Sequence, residues 1–151
     1  MIRGLTFKIS QEITNPLFSI FAGINTEIFS WFCVPDQEEV WNGKQNAPFF
    51  QKPDYTGKEF SNLIKQDCYI VFLKLQAYPL KSKYCNIYTY EEFLKSNCQL
   101  LLLVYDCEFV EIYCKSENIL KTLYDNAINQ RFCDVIFITD LNNNRSKFDI
   151  L

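Results

Sequence analysis

Residues Cys98 to Lys115, CQLLLLVYDCEFVEIYCK, constrain the fold more than any other stretch. From Gln99 to Tyr105 the run is apolar on both faces, which suits a strand in the interior of a sheet. From Phe109 to Lys115 it alternates, with Val110, Ile112 and Cys114 on one side. Asp106, Cys107 and Glu108 separate the two runs. The stretch is therefore expected to form a β-hairpin with one interior strand, and the rest of the chain must supply the layers that enclose it.

Three of the seven cysteines fall in this stretch. In a hairpin, Cys107 at the turn and Cys114 along the strand are about 23 Å apart at roughly 3.3 Å per residue, too far to share a metal ion. A residue facing Cys114 would be number 100 or 101, so Cys98 is offset as well, and the thiols make a poor zinc site. Cys68, Cys98 and Cys133 each open a strand directly after a helix, in CYIVFLKL, CQLLLLVY and CDVIFITD. There cysteine is expected to pack as a small apolar residue. Cys107 is flanked by Asp106 and Glu108, whose charges raise a thiol's pKa, so it reads as an ordinary turn residue. An odd number of cysteines at irregular gaps, with no C-x-x-C pair, indicates reduced thiols and neither metal nor cofactor. The chain contains no histidine, which removes the commonest general base and the usual partner of a nucleophilic Ser or Cys.

Capping signals place the helices. Asn15 and Pro16 fit N-cap and N1 of a short helix to about residue 22. TGKE at Thr56 to Glu59 and TYEE at Thr89 to Glu92 fit capping boxes. Ser116 caps the longest helix, whose stripe of Leu120, Leu123, Tyr124 and Ala127 is expected to be core. The second half then reads as a short strand from about 83, helix 89 to 97, strands 99 to 105 and 109 to 115, helix 117 to 131 and strand 134 to 139. The first half reads as strand 2 to 9, helix 16 to 23, strand 27 to 34, a further strand within 38 to 50, helix 56 to 66 and strand 69 to 76. The expected class is α+β, a mainly antiparallel sheet with helices on one face, readable as two ferredoxin-like βαββαβ halves, 1–80 and 81–151. Repeated helix-to-strand chemistry accounts for the likeness of the halves equally well.

At 151 residues the chain has the usual length of one domain. Fifteen Lys and Arg against eighteen Asp and Glu give a net charge of -3, whereas a phosphate-backbone binder is normally far more basic, so no nucleic-acid partner is expected. Gln11, Glu12, Asn15 and Pro16 break the apolar run near the start, so neither a signal-peptide core nor a spanning helix is expected. The expected location is the cytoplasm, with no membrane association.

No Gly-rich phosphate loop, G-x-S-x-G or metal-ligand spacing is present, and there are only four glycines. The paired carboxylates Glu91 and Glu92 read as solvated helix-start charge. The unusual stretch is CVPDQEEVWNGKQNAPFFQKPDY, Cys33 to Tyr55, expected to be a long loop carrying Asp36, Glu38, Glu39, Trp41, Phe49 and Phe50. Either these aromatics cover the sheet, or Trp41, Phe49 and Phe50 with Glu38 and Glu39 form an anchored acidic patch for a basic protein partner. NNN at Asn142 to Asn144 reads as a turn into a last strand, 147 to 151.

The segments TYEEFLKSNCQLLLLVYDCEFVEIYCK, LQAYP at Leu75 to Pro79 and FCDVIFITD at Phe132 to Asp140 resemble a family of small uncharacterised Bacillus-type proteins carrying a domain of unknown function. That resemblance implies a bacterial cytoplasmic protein and says nothing of activity. Two classes of function follow from the residues. One is a non-catalytic binding protein, inhibitor or immunity-like, with a protein partner. The alternative is a small-molecule-binding module or a thiol enzyme that works without histidine, built between helices and sheet.

Overall fold

The computed structural model describes residues 1–150. The hairpin expected at 98–115 is its centre. Strand β5 (Leu100–Tyr105) and strand β6 (Phe109–Cys114) pair antiparallel with Leu100 opposite Cys114 and Tyr105 opposite Phe109. Asp106 and Cys107 turn the chain with φ of 51° and 65°, conformations that Asp accommodates more readily than Cys. Leu100 through Val104 have no exposed surface, as a strand apolar on both faces requires.

The other strands are β1 (Ile2–Lys8), β2 (Phe29–Asn42), β3 (Asp54–Tyr55), β4 (Cys68–Pro79) and β7 (Cys133–Thr139). They build one seven-stranded sheet in the order β3-β2-β4-β5-β6-β1-β7, with every pairing antiparallel. Helices α1 (Pro16–Ile20), α2 (Gly57–Leu63) and α4 (Glu117–Asn129) pack through Leu17, Ile20, Phe60, Leu120 and Leu123 on the face formed by Leu5, Leu102, Val104, Val110 and Ile112. The expectation of helices on one face holds for these three. Helix α3 (Tyr90–Lys95) lies on the opposite face, where Phe93 joins Tyr78, Ile87, Leu101, Leu103, Tyr113 and Phe148 in a second, smaller core. No helix is long and apolar enough to cross a membrane among the described residues.

The ferredoxin-like expectation is met in an altered form. Strand β6, helix α4 and strand β7 make a split βαβ unit, and the strand in its gap is β1 from the other end of the chain. Because β1 fills that slot, residues 81–88, expected to begin a strand, run without regular structure, and their Ile87 packs into the second core. The final segment is likewise not a strand over 147–150, and Leu151 lies outside the described residues. Phe148 instead inserts beside Tyr113, with ring centroids 4.6 Å apart.

The largest correction concerns 33–55. Residues 29–42 form one fourteen-residue strand with register shifts between Cys33 and Glu38 and between Glu39 and Val40, so the first part of the expected loop, Cys33 to Asn42, is β2. Pro35 and Asp36, with φ of 64° at the latter, form the irregularity. Phe49 and Phe50 are buried against each other and Tyr55 in the main core. The tryptophan at the heart of that core is Trp31, stacked on Phe60 at 4.0 Å, with its indole N–H donating to the Thr26 carbonyl at 2.9 Å.

The caps behave as their residue types dictate. Thr56 and Glu59 form a complete capping box, and Ser116 accepts from the Ile119 N–H. Thr89 accepts from the Glu92 N–H, but the Glu92 carboxylate reaches back to Tyr88 instead of the cap residue. Helix α1 begins with Pro at N1 without a side-chain cap from Asn15. In the central strand, Leu102→Ala removes a side chain packed on every side and is expected to cost about 2 to 5 kcal/mol in urea unfolding. A loss under about 1 kcal/mol would place this strand at the periphery.

Candidate functional site

Alternation from Leu73, which faces the main core, sends Phe72, Lys74, Gln76 and Tyr78 of β4 to the opposite face. The sheet register sets Tyr105 of β5 and Phe109, Glu111 and Tyr113 of β6 on that same face. This face is divided into a covered half and an open half.

The covered half is polar, and two irregular segments satisfy it. Lys74 has no exposed surface, donates through Nζ to the Ile87 carbonyl at 2.5 Å and lies 4.0 Å from Asp149. The Gln76 amide donates to the Cys85 carbonyl at 2.8 Å and accepts from the Ile87 N–H at 3.0 Å, while the Tyr78 hydroxyl donates to the same Cys85 carbonyl. Arg145 in the tail forms a two-pronged ion pair with Glu111, both hydrogen bonds at 2.9 Å. The Tyr113 hydroxyl adds a third donor to that carboxylate at 2.8 Å. The tail is fixed further by Phe148 N–H to the Tyr88 carbonyl and Ile150 N–H to the Gln37 side chain.

These surroundings set the charge states. Burial pulls the Lys74 ammonium down to about 8, against the opposing pull of Asp149 and Glu92. Burial alone would raise Glu111, but the hydrogen bonds and charge of Arg145, with Tyr113, hold it below the usual carboxylate range. The Tyr113 phenol is pushed up by burial and by the Glu111 charge. Lys74 is an amine on the path to neutrality, the state a nucleophilic lysine needs. It is nevertheless enclosed and committed to Ile87, so its role in this conformation is to bind the 81–88 segment to the sheet.

The open half begins where Arg145 ends, its guanidinium 5.3 Å from the Tyr105 ring. Tyr105 stacks on Phe109 at 5.4 Å, and the Lys8 ammonium lies 5.0 Å from the Phe109 ring. Toward the other edge, Phe72 stands one residue from Leu73, which pairs with Val104 beside Tyr105. Trp41 of β2 is opposite Tyr69 of β4, and the Tyr69 hydroxyl donates to Cys107 Sγ at 3.4 Å. Five aromatic side chains, Trp41, Tyr69, Phe72, Tyr105 and Phe109, thus cross four strands, each half-buried. Beside them in the chain stand the exposed carboxylates of Glu39, Asp67 and Asp106.

The residues singled out from the sequence separate onto the two faces. Trp41 and Glu39 belong to the open stripe and hold each other, the indole N–H donating to the carboxylate at 3.0 Å. Glu38 is half-buried and takes the Cys33 thiol at 3.8 Å; burial first, and Glu39 beside it, raise its pKa against the lowering pull of that thiol. Phe49 and Phe50 are core residues on the far side. Tyr69, Phe72, Tyr105 and Phe109 were missed. Alternation from Val110, Val104 and Leu73 puts Phe109, Tyr105 and Phe72 on the face away from the main core, whereas Tyr69 shares that face only because the extra residue Val71 breaks the alternation between Ile70 and Phe72.

All seven thiols are free. Cys33, Cys68, Cys98 and Cys114 are buried, Cys107 is half-buried, and Cys85 and Cys133 are exposed, so the packing expectation holds for Cys68 and Cys98 but not for Cys133 on the edge strand β7. Burial pushes Cys68 and Cys98 up to about 12 and Cys114 up to about 11. Such thiols stay protonated and unreactive at neutral pH.

A family model described as a protein of unknown function (DUF2691) matches residues 2–149. The uncharacterized protein YncE of Bacillus subtilis (strain 168) is 34% identical over 153 residues, covering 99% of this chain and 100% of that protein. No solved structure matches.

Two measurements test these assignments. A thiol reagent at pH 8 is expected to reach Cys85, Cys107 and Cys133 in the folded protein and all seven thiols in denaturant; seven fast-reacting thiols in the folded protein would contradict the burial pattern. Lys74 titrates near 8 when folded and at 10.5 ordinarily, so protonation favours the unfolded chain. The cost of burying its charge is therefore present below about pH 8 and is relieved as pH rises toward 10.5. Relative to Lys74→Met, the native protein should gain on the order of 2 kcal/mol between pH 7 and 10 in urea melts, and a pH-independent difference would contradict it.

Proposed function

The chain belongs to this family of proteins of unknown function (DUF2691), so its role has to be read from its own residues, and we propose that it is a cytoplasmic, non-catalytic binding protein that takes a basic protein partner on the open half of its sheet. The carrying observation is the stripe Trp41, Tyr69, Phe72, Tyr105 and Phe109, half-buried side by side on the half of the face that no segment among the described residues covers. Aromatic groups of this kind, held on rigid strands, lose little side-chain freedom on binding and are the commonest anchors of protein interfaces.

The rim favours a cationic partner. Glu39, Asp67 and Asp106 are exposed beside the stripe, against Lys44 in the adjoining turn and against Lys8 and Arg145, each of which rests on one of its rings. A field of this sign steers a basic surface toward the patch and speeds association, an effect that falls with added salt. Glu39 stands with Trp41 on this face, whereas Glu38, opposite Leu73 and bonded by the Cys33 thiol, turns to the main-core face, and Phe49 and Phe50 contribute to the fold alone. The seven free thiols suit a reducing compartment.

The test is affinity capture from a Bacillus subtilis lysate, run in parallel with the native chain and with Trp41→Ala, followed by titration of any retained protein. Trp41→Ala should shift stability by less than about 1 kcal/mol and weaken that partner by about 2 kcal/mol or more, roughly thirtyfold. Raising the salt should weaken the native complex mainly through slower association. Equal retention by the native chain, Trp41→Ala and Phe109→Ala would overturn the proposal, as would a retained partner that is acidic.

A further inference from the structure

A separate cavity of about 660 Å³ lies at the far end of the sheet, bounded by α3, the first turns of α4 and the neighbouring residues of β1 and β7. Its size is that of a site for one drug-sized molecule. The walls are mainly apolar: Ile2, Tyr90, Phe93, Leu94, Leu120 and Phe137. Leu94 is 50% exposed and Ile2 48% exposed, so apolar surface opens directly into the cavity mouth. The charged groups on the lining are Lys115, Lys121, Glu117 and the Met1 amino terminus. Lys115 Nζ donates to the Ser96 carbonyl at 2.5 Å and lies 5.1 Å from the Phe93 ring, which holds the cation at the wall. Lys121 reaches solvent beside it, paired at 2.7 Å with Asp125. The Arg3 guanidinium stands 4.1 Å above the Tyr90 ring on the adjoining side. With their partners counted, the cations Lys115, Lys121, Arg3 and the Met1 amino terminus stand against the carboxylates Glu117, Asp125 and Asp140, so the surroundings of the lining carry one net positive charge in a chain of net charge -3. The 13-residue helix α4, which starts at Glu117, adds the positive end of its dipole.

We propose that this cavity binds a free single-chain amphipathic carboxylate, with its apolar chain between α3 and α4 and its carboxylate at Lys115 and Lys121. A mostly apolar cavity with a few convergent polar groups is the form such sites take. The sign of those groups selects an anion over a cation of equal chain length. Burial of the chain against Phe93, Leu94 and Leu120 supplies most of the affinity, and the two ammonium groups supply orientation. The site is independent of the aromatic stripe, and neither reading depends on the other.

The experiment is isothermal titration calorimetry with dodecanoate below its micelle concentration, compared with dodecyltrimethylammonium and dodecanol. The expected result is saturable binding at one site per chain, with dodecanoate about tenfold tighter than the cation of the same length. Leu94→Asp introduces a carboxylate at a half-exposed position that the fold does not need, and should weaken dodecanoate at least about tenfold. Lys121→Met should weaken dodecanoate while leaving dodecanol unchanged. Equal affinity for the cationic probe, undiminished binding by Leu94→Asp, or absence of saturable heat would each overturn the proposal. So would binding to anionic phosphatidylglycerol vesicles in preference to free dodecanoate, which would make the cavity part of a lipid-surface contact.

Discussion

Glu111 sits in the middle of a sheet strand with its carboxylate buried on the face it shares with Lys74 and Gln76, and Arg145 in the tail answers it with two hydrogen bonds of 2.9 Å. A buried carboxylate without such a partner costs several kcal/mol, so the strand is acceptable in this sheet only because the tail folds back over it. Lys74, one strand beyond the intervening Leu103, imposes the same demand and is met by Ile87 and Asp149. Two charges on the sheet therefore recruit two irregular segments. Where those charges end, the covering ends, and the rest of the face stays open to solvent.

That division separates stability from recognition. The main core under α1, α2 and α4 is apolar and continuous, with Trp31 stacked on Phe60 and Leu102 and Ile112 at its centre. The covered half of the other face adds the second core around Phe93, Tyr113 and Phe148. The open aromatic stripe can then sit half-buried on β2, β4, β5 and β6 without being required for folding. The cavity between α3 and α4 arises from the same arrangement, because α3 packs on the face opposite α4 and the two meet only around the end of the sheet.

The central hairpin was legible because its two runs differ in period: LLLLV reads as interior, and FVEIYC sends Val110, Ile112 and Cys114 to the main core, although its other face, with Glu111 and Tyr113, is buried as well. The caps were legible too, since Thr56, Thr89 and Ser116 act through bonds to residues three positions on. The placement of β1 between β6 and β7 was not, because strand order is decided by pairing between residues more than a hundred positions apart. The stretch from Cys33 to Tyr55 misled for a local reason. Prolines and acidic residues mark loops, but Pro35 and Asp36 here mark a bulge inside one long strand. Trp41 was recognised by its bulk, whereas Phe49 and Phe50, with the same bulk, turn inward; nothing in their own neighbourhood distinguishes them. Tyr69, Phe72, Tyr105 and Phe109 were each visible as strand residues, but their gathering into one stripe is a property of the sheet register.

The dependence of the covering on the Glu111–Arg145 pair is tested most directly by amide hydrogen exchange on Arg145→Met. The account predicts that the Phe148 and Ile150 amides, bonded to the Tyr88 carbonyl and to Gln37, lose protection about tenfold or more while the amides of β5 keep theirs. Unchanged protection at Phe148 and Ile150 would show that the tail is held without the pair, and the division of the face into covered and open halves would then need another cause.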